Sequence, residues 1–511
     1  MPDDMHSSAD PAISIAECST EFITELIAEL IAELRNMLGH SAVISDVADC
    51  ARYVTGARYG AGRALAVVRP ATTAQVAQLT QYCARYQIKL VVQGANTGLV
   101  AASTPDASGH FLVLSTERLN RHIQIDVINR SVEVDAGVTL HDLNQALQVH
   151  GLCFPIDLGA NPSIGGMIAA NTGGARLIKY GDVRANLLGL EAVLLHPAGT
   201  ILDLRAALRK NNTGPDLKQL LVGTSGAYGI ITRAVLQVHR LPQQTATALV
   251  VPRDQAAVLE LLQILEQDCG EFLSAFEGIS GQAMASVLRH IPAITNPFSP
   301  EAVPDYCILI ELDSTMSPHK SGLHLEVLLN QILEAHFGDV ITNAVVGRGK
   351  DLWRIRHAIS ESLRGEGKII AFDISMPRSS LIAFRQRAIE LVEAHYPQLQ
   401  IMDFGHWADG GSHFNLVWPH AASLAYDAAI VNTLRAAIYD MVVHKYQGSF
   451  SAEHGVGPYN QTYYHRYTSD AAQQLAGDIQ NMLDPAHLFG LTWFGKAKVG
   501  SNDETKTEMK T

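Results

Sequence analysis

The sequence predicts an α+β protein of more than one domain, and three observations carry that expectation. The chain has 511 residues, 47% hydrophobic and 17% charged, which is enough for more than one core and too apolar for disorder. From residue 64 onward, short β-rich runs alternate with helical runs, but without the even spacing of a regular βαβ series. The pattern pauses at Leu241-Pro242 and then restarts. The expected organisation is a first domain at 21–242, an α/β domain at 243–440, a mostly helical segment at 441–497 that completes the active site, and disordered ends at 1–20 and 498–511.

The first element is an amphipathic helix. Phe22, Ile23, Leu26, Ile27, Leu30, Ile31 and Leu34 recur at helical spacing, with Glu21, Glu25, Glu29 and Glu33 on another face. A negative face has the wrong sign for a membrane surface, so packing on the body is expected. The first basic residue is Arg35. A secretory signal needs early positive charge and a transit peptide needs arginines, so a cytoplasmic location is expected. No uninterrupted run of about 18 apolar residues occurs, so no transmembrane helix is expected.

Ala64–Val68 reads as a strand, and 73–83 as a helix capped by Thr72 or Thr73. Lys89–Val92 is a strand that runs into a loop at Gly94–Gly98. Phe111–Leu114, Ile123–Asp126 and Ser131–Val134 follow, the last two alternating with period two. Leu190–Leu195, Thr200–Leu202 and Gly229–Val238 are three more strands. After the boundary, Thr245–Val251, Tyr306–Leu312 and Ile369–Ile374 are strand-like and Gln255–Gln267 is helical.

Lys and Arg number 38 against 51 Asp and Glu, for a net charge of −13, which argues against nucleic acid as a partner. Cys18, Cys50, Cys83, Cys153, Cys269 and Cys307 share no CxxC spacing and do not cluster with histidine, so they read as reduced thiols.

The 40 glycines and 21 histidines are where the chemistry lies. Gln93-Gly94-Ala95-Asn96-Thr97-Gly98-Leu99 follows a β run directly, and small residues there let backbone N–H groups approach an anion. It is neither GxxxxGK(S/T) nor a GxGxxG opening a helix. Alone it is as compatible with a tight turn as with a phosphate cradle. A second patch, Pro155 to Gly174, and a third, Gly223 to Thr232, are also poor in side chains. Such stretches suit backbone laid against a large ligand.

The three patches, in this order and spacing, resemble the flavin domain of the vanillyl-alcohol-oxidase superfamily, the PCMH-type FAD-binding domain. The resemblance covers roughly residues 45–240. It implies flavin contacts at Gly94, Ala95, Asn96, Thr97, Gly98, Leu99 and Ser103. In the second patch it implies Asp157, Leu158, Gly159, Ser163, Ile164, Gly165, Gly166, Ile168, Asn171, Gly173 and Gly174, and in the third Gly226, Gly229 and Ile230. Ala95 and Ser225 replace a frequent glycine and glutamate. The phosphate loop holds no histidine or cysteine, so the FAD is expected to be non-covalent.

The stretch 401–418 reads as two strands around Asp409-Gly410, the pair favoured by a type I′ turn. A turn centred there makes His406 and His413 a directly opposed pair, with Cβ atoms about 5 Å apart. Such a pair fits either two ligands of one metal ion or two histidines stacked on a sheet. Asn415, two residues beyond His413, projects from the same face. In Ser451-Ala452-Glu453-His454-Gly455-Val456-Gly457, the Glu and His side chains of an extended segment point opposite ways and need different jobs. Glu453 would complete a two-histidine, one-carboxylate set. His454 would face substrate as a base, the alternative being a solvated Glu-His pair in a turn.

These residues resemble the C-terminal domain of FAD-linked D-2-hydroxyacid dehydrogenases of the D-lactate and D-2-hydroxyglutarate type. The resemblance implies a divalent metal, commonly zinc, on His406, His413 and Glu453, and His454 as the catalytic base that also contacts substrate. It implies substrate contacts at Asn415, at Arg356, whose fork would hold a carboxylate, and at Ser360, a position often threonine. The hydroxyglutarate type carries a lysine where this chain has Ala371, which implies a smaller or less charged substrate tail. The expected activity is metal-assisted oxidation of a D-2-hydroxy acid to the 2-oxo acid, with hydride transfer to FAD. Alternatives are an oxidase or an alkyl-glycerone-phosphate-synthase-like enzyme of the same fold, or a zinc-stabilised binding protein without activity. Expected partners are the 2-hydroxy acid and an electron acceptor that the sequence does not identify. A homodimer and peripheral membrane association complete the expectations.

Overall fold

The computed structural model describes residues 20–497. The disorder expected at 1–20 and 498–511 thus falls outside the described residues, except at Thr20, which opens a helix running to Leu38. Among the described side chains of that helix, the later ones pack inward. Leu34 and Leu38 are buried and Leu30 and Ile31 lie against the same core, while Leu26 is exposed.

The N-terminal domain contains a four-stranded and a five-stranded sheet. In the first, Ala64–Val68, Phe111–Ser115 and Lys89–Gln93 run parallel, with Val43–Ile44 antiparallel at the edge. Strands buried on both faces need apolar residues throughout, and Phe111–Ser115 is buried along its whole length. The helix Thr73–Tyr86 links two of these strands, and Thr72 Oγ1 caps it by accepting from Gln75 N. The second sheet is antiparallel, in the order Ile123–Asp126, Ser131–Asp135, Ile230–Gln237, Leu187–Leu194, Thr200–Leu204.

Part of the second glycine patch is not loop. Ser163 Oγ accepts from Gly166 N and caps a short helix, Ile164–Ala170. Ile164, Met167 and Ile168 share one face of it and enter the core. Gly165, Gly166, Ala169 and Ala170 form the opposite face, which borders the main cavity. The helix is apolar inward and nearly featureless outward.

The second domain is built on a seven-stranded antiparallel sheet. Its order is Ile341–Val346, Gln244–Pro252, Tyr306–Ser314, Leu273–Ser280, Phe404–His406, Gly411–His413, Asp373–Ser375. A smaller sheet pairs Gly367–Ile370, Leu416–Pro419 and Gln400–Ile401. The single strand expected at 369–374 is therefore two strands in two sheets. Ile370 pairs with Leu416 and Asp373 with His413, so the register is the same on both sides of the gap. At the gap other groups satisfy the backbone. Arg435 Nη1 donates to Ala371 O at 2.8 Å, and Phe372 N donates to Asn415 Oδ1 at 3.4 Å. Ala371, Phe372 and Asn415 all border the cavity.

The hairpin register also differs from expectation. Phe404, not His406, pairs with His413, across a four-residue turn at 407–410. Gly410 has φ +88, but Asp409 is not among the positive-φ residues, and a type I′ turn needs φ > 0 at both central positions. Asp409 instead accepts from Gly411 N through Oδ1 at 2.8 Å.

The C-terminal segment returns to the first domain. Leu90 N donates to Leu488 O and Gly490 N to Leu90 O. The domains are also clamped by partly buried charge: Arg176 binds Asp157 at 2.7 Å on one side and Glu311 at 2.7 Å on the other. Among the described residues the five cysteines are free, and no helix is long and apolar enough to cross a membrane.

Candidate active site

A cavity of about 720 Å³ lies where the two domains and the C-terminal segment meet. One wall is backbone. Gln93 Nε2 donates to Tyr53 O and Ser103 O, and Asn96 Nδ2 to Thr55 O, so the loop is pinned from behind. Among the described residues, no backbone N–H from Ala95 to Val100 finds a protein acceptor. Free donors in a turn are what an anionic pyrophosphate needs. A Cβ on Gly94 would stand 2.0 Å from Ser163 Oγ, so the two glycine patches are already in contact. This wall fits the phosphates of a dinucleotide.

Of the flavin contacts implied by the sequence, fifteen border the cavity: Gly94 to Leu99, Ser103, Asp157, Leu158, Gly159, Ser163, Gly165, Gly166, Gly226 and Gly229. Six do not. Ile164, Ile168 and Ile230 face the core, because their neighbours on the other face hold the wall. Asn171 is spent on Asp182 and on Arg184 N. Gly174 is packed against the Asp157 backbone, and Gly173 lies behind Glu453.

The opposite wall is made of side chains. His406 and His413 are diagonal neighbours, with ring centroids 5.4 Å apart. Glu453 lies between them: Oε1 is 3.5 Å from His406 Nε2 and Oε2 is 3.8 Å from His413 Nε2. One ligand atom from each of the three lies within 4.8 Å of the others. Glu453 Oε1 is buried with no hydrogen-bond partner, and so is Asp373 Oδ1. Unpaired buried carboxylate oxygens are costly. Two imidazole nitrogens and a carboxylate could hold one divalent cation.

The electrostatics agree. Burial opposes charge on His406, but Glu277 and Glu453 flank it and push its pKa well above the ordinary value. Burial holds His413 down at about 4. Burial would raise Glu453, yet His406 and His413 hold it well below the usual carboxylate range. Burial would likewise raise Glu277, and His406 and Arg356 bring it to about 2. The cluster is built around positive charge.

His454 sits beside this cluster, its ring 6.1 Å from that of His413. The loop carrying it is bent rather than extended. Asp373 Oδ2 accepts from Glu453 N at 3.0 Å and His454 N at 2.8 Å, and it faces His454 Nδ1 at 3.4 Å. The bend still gives Glu453 and His454 separate partners. Arg356 lies over Phe404 with Cζ 4.6 Å from the ring centroid. Arg356, Ser360, Asn415 and His454 all border the cavity.

Two residues that sequence reasoning missed hold this wall together. Asp373 fixes the base loop, and Glu277 binds both His406 and Arg356. The one signal for Glu277 is an acid flanked by Ala275, Phe276, Gly278 and Ile279, in a stretch that the sequence did not identify as a strand.

Two protein families match this chain. The family described as FAD binding domain matches residues 64–205, and that described as FAD linked oxidases, C-terminal domain, matches residues 241–490. The mitochondrial D-2-hydroxyglutarate dehydrogenase of Danio rerio is 33% identical over 425 residues, 82% of this chain and 76% of that protein. A protein of Schizosaccharomyces pombe named as a candidate mitochondrial D-lactate dehydrogenase is 31% identical over 83% of this chain and 80% of that protein. The crystal structure of p-cresol methylhydroxylase with substrate bound has a TM-score of 0.68 at 15% identity, covering 92% of this chain and 96% of that one, a likeness of fold. The expected cytoplasmic location is overturned: both named relatives are mitochondrial.

Proposed function

The chain belongs to the FAD-linked oxidases, in the group of its D-2-hydroxyacid dehydrogenase relatives, and from that premise we propose that it oxidises a D-2-hydroxy acid to the 2-oxo acid. One observation carries the reading. The base His454, the donor cluster His406, His413 and Glu453, and the cation Arg356 all face the cavity whose other wall is the phosphate cradle. When bound, non-covalent FAD would accept the C2 hydrogen together with its two electrons, and a divalent ion, with zinc favoured by the N, N, O donor set, would supply positive charge beside the substrate oxygens.

The residues supply the rest. Arg356 uses only Nε within the protein, so its two terminal nitrogens are left as a fork for the C1 carboxylate. Asn415 accepts from Phe372 N through Oδ1, which leaves its amide N–H groups to donate to substrate oxygen. With Nδ1 turned toward Asp373, His454 takes the hydroxyl proton at Nε2. Phe372, Phe404 and Trp353 give that part of the cavity an apolar lining that excludes water. The side chain at 371 is a methyl group, which suits a short or weakly charged substrate tail.

Anaerobic flavin bleaching with a panel of 2-hydroxy acids tests this. D-acids should bleach the flavin and L-acids should not. Bleaching by neither enantiomer, or equally by both, would contradict the proposal.

A further inference from the structure

Glu277 stands apart from the groups that would touch metal or substrate, yet it touches one residue of each kind. It lies in the strand Leu273–Ser280, directly opposite His406 in the antiparallel register, and its side chain is 1% exposed. Both carboxylate oxygens are committed. Oε1 accepts from His406 Nδ1 at 2.6 Å, and Oε2 accepts from Arg356 Nε at 2.7 Å. A carboxylate placed only to neutralise a buried arginine would take that arginine through its two-nitrogen fork. Here it takes one nitrogen and leaves the fork toward the cavity.

Each contact has a consequence. The bond to Nδ1 keeps a proton on that nitrogen and fixes the ring, so that Nε2 is the nitrogen facing Glu453 and His413 and the one a metal ion would take in exchange for its proton; a carboxylate on the far nitrogen also makes an imidazole a better ligand. The bond to Nε fixes the plane of the Arg356 guanidinium. We propose that Glu277 is a positioning residue that couples the two halves of the site, orienting the metal-ligand histidine and the anion-binding arginine with one shared carboxylate. This rests on the functional reading given above for His406 and Arg356. Its particular content is that the two affinities are linked through Glu277: whatever removes one partner gives the whole charge to the other.

The test uses the flavin-loaded protein and two separate probes. Zinc affinity is read by competition with a chromogenic chelator. Affinity for oxamate, a planar monoanion, is read from its perturbation of the flavin spectrum after metal has been stripped. E277Q should weaken zinc by about 10–100-fold and oxamate by about tenfold or more, with flavin content unchanged. R356Q should weaken oxamate but tighten zinc several-fold, because the carboxylate then serves His406 alone. In the E277Q background, R356Q should no longer alter zinc affinity.

Loss of one affinity only in E277Q would overturn the inference, and so would an effect of R356Q on zinc that persists without Glu277, since that is charge acting through space. If E277Q fails to retain flavin, E277D replaces it. Its shorter side chain keeps the charge but cannot reach both partners, so one affinity should fall and the other hold; loss of neither would overturn the inference. A wild-type protein that binds neither probe would bring down the functional reading as well, whereas a wild-type protein that binds both beside an unaltered E277Q would bring down this inference alone.

Discussion

The two walls of the cavity are made differently. The flavin wall is largely backbone, presented by residues 94–99 and by Ser163, Gly165 and Gly166. The reacting wall is side chains from separate segments, Arg356, His406, His413, Asn415, Glu453 and His454, with Glu277 and Asp373 bonded behind them. A backbone surface spreads its binding over many N–H groups, so no one residue dominates it. A side-chain cluster concentrates function in single atoms, so one substitution can abolish it.

That contrast can be broken or sharpened by substitution. The largest effect is expected at His454. His454→Ala should slow flavin reduction by about 10²–10⁴-fold while the flavin spectrum and content stay the same. Flavin loss in that variant would mean that the walls are not separable.

Gly410→Ala comes next. Its Cβ would fall 2.1 Å from Met376 O at a φ of +88, so the turn carrying both histidines must shift. The strain alone costs about 1–3 kcal/mol, visible as a lower Tm together with weaker metal binding. Asp373→Asn should follow. It keeps an acceptor for the Glu453 and His454 N–H groups but loses the charge facing His454 Nδ1. Stability should fall by about 1–3 kcal/mol and kcat should fall with KM little changed, as steady-state kinetics would show.

The smallest effect is expected on the flavin wall. Gly94→Ala displaces Ser163 Oγ from its cap on Gly166 N. That costs about 1 kcal/mol, or roughly fivefold in flavin affinity by titration of the apoprotein. A loss as large as that of His454→Ala would erase the contrast.

The same difference decides what could be read in the sequence. The cradle is local, and its glycines and alanines could be picked out by composition. Even so, Ile164 and Ile168 face the core because their patch folds partly as a helix with two faces, and Ile230 faces it because it opens a buried strand. On the other wall the residue types at 406, 413 and 453 could be picked out, but not how they pair. The Asp409-Gly410 pair suggested a two-residue turn, and the register is set instead by pairing of Phe404–His406 with 277–279. Glu277 and Asp373 escaped notice because their roles exist only across strands: Glu277 opposite His406, Asp373 opposite His413. The strand expected at 369–374 broke for the same reason. Asn415 and Arg435 take over its backbone bonds from distant positions.

The central claim is that the two walls bring flavin and substrate together in one cavity. The direct measurement is the anaerobic rate of flavin reduction by a D-2-hydroxy acid, by stopped flow, in metal-replete and chelator-stripped protein of equal flavin content. Loss of several kcal/mol of charge stabilisation predicts a fall of at least about 100-fold, restored when metal is returned. The same rate in both preparations would contradict the account.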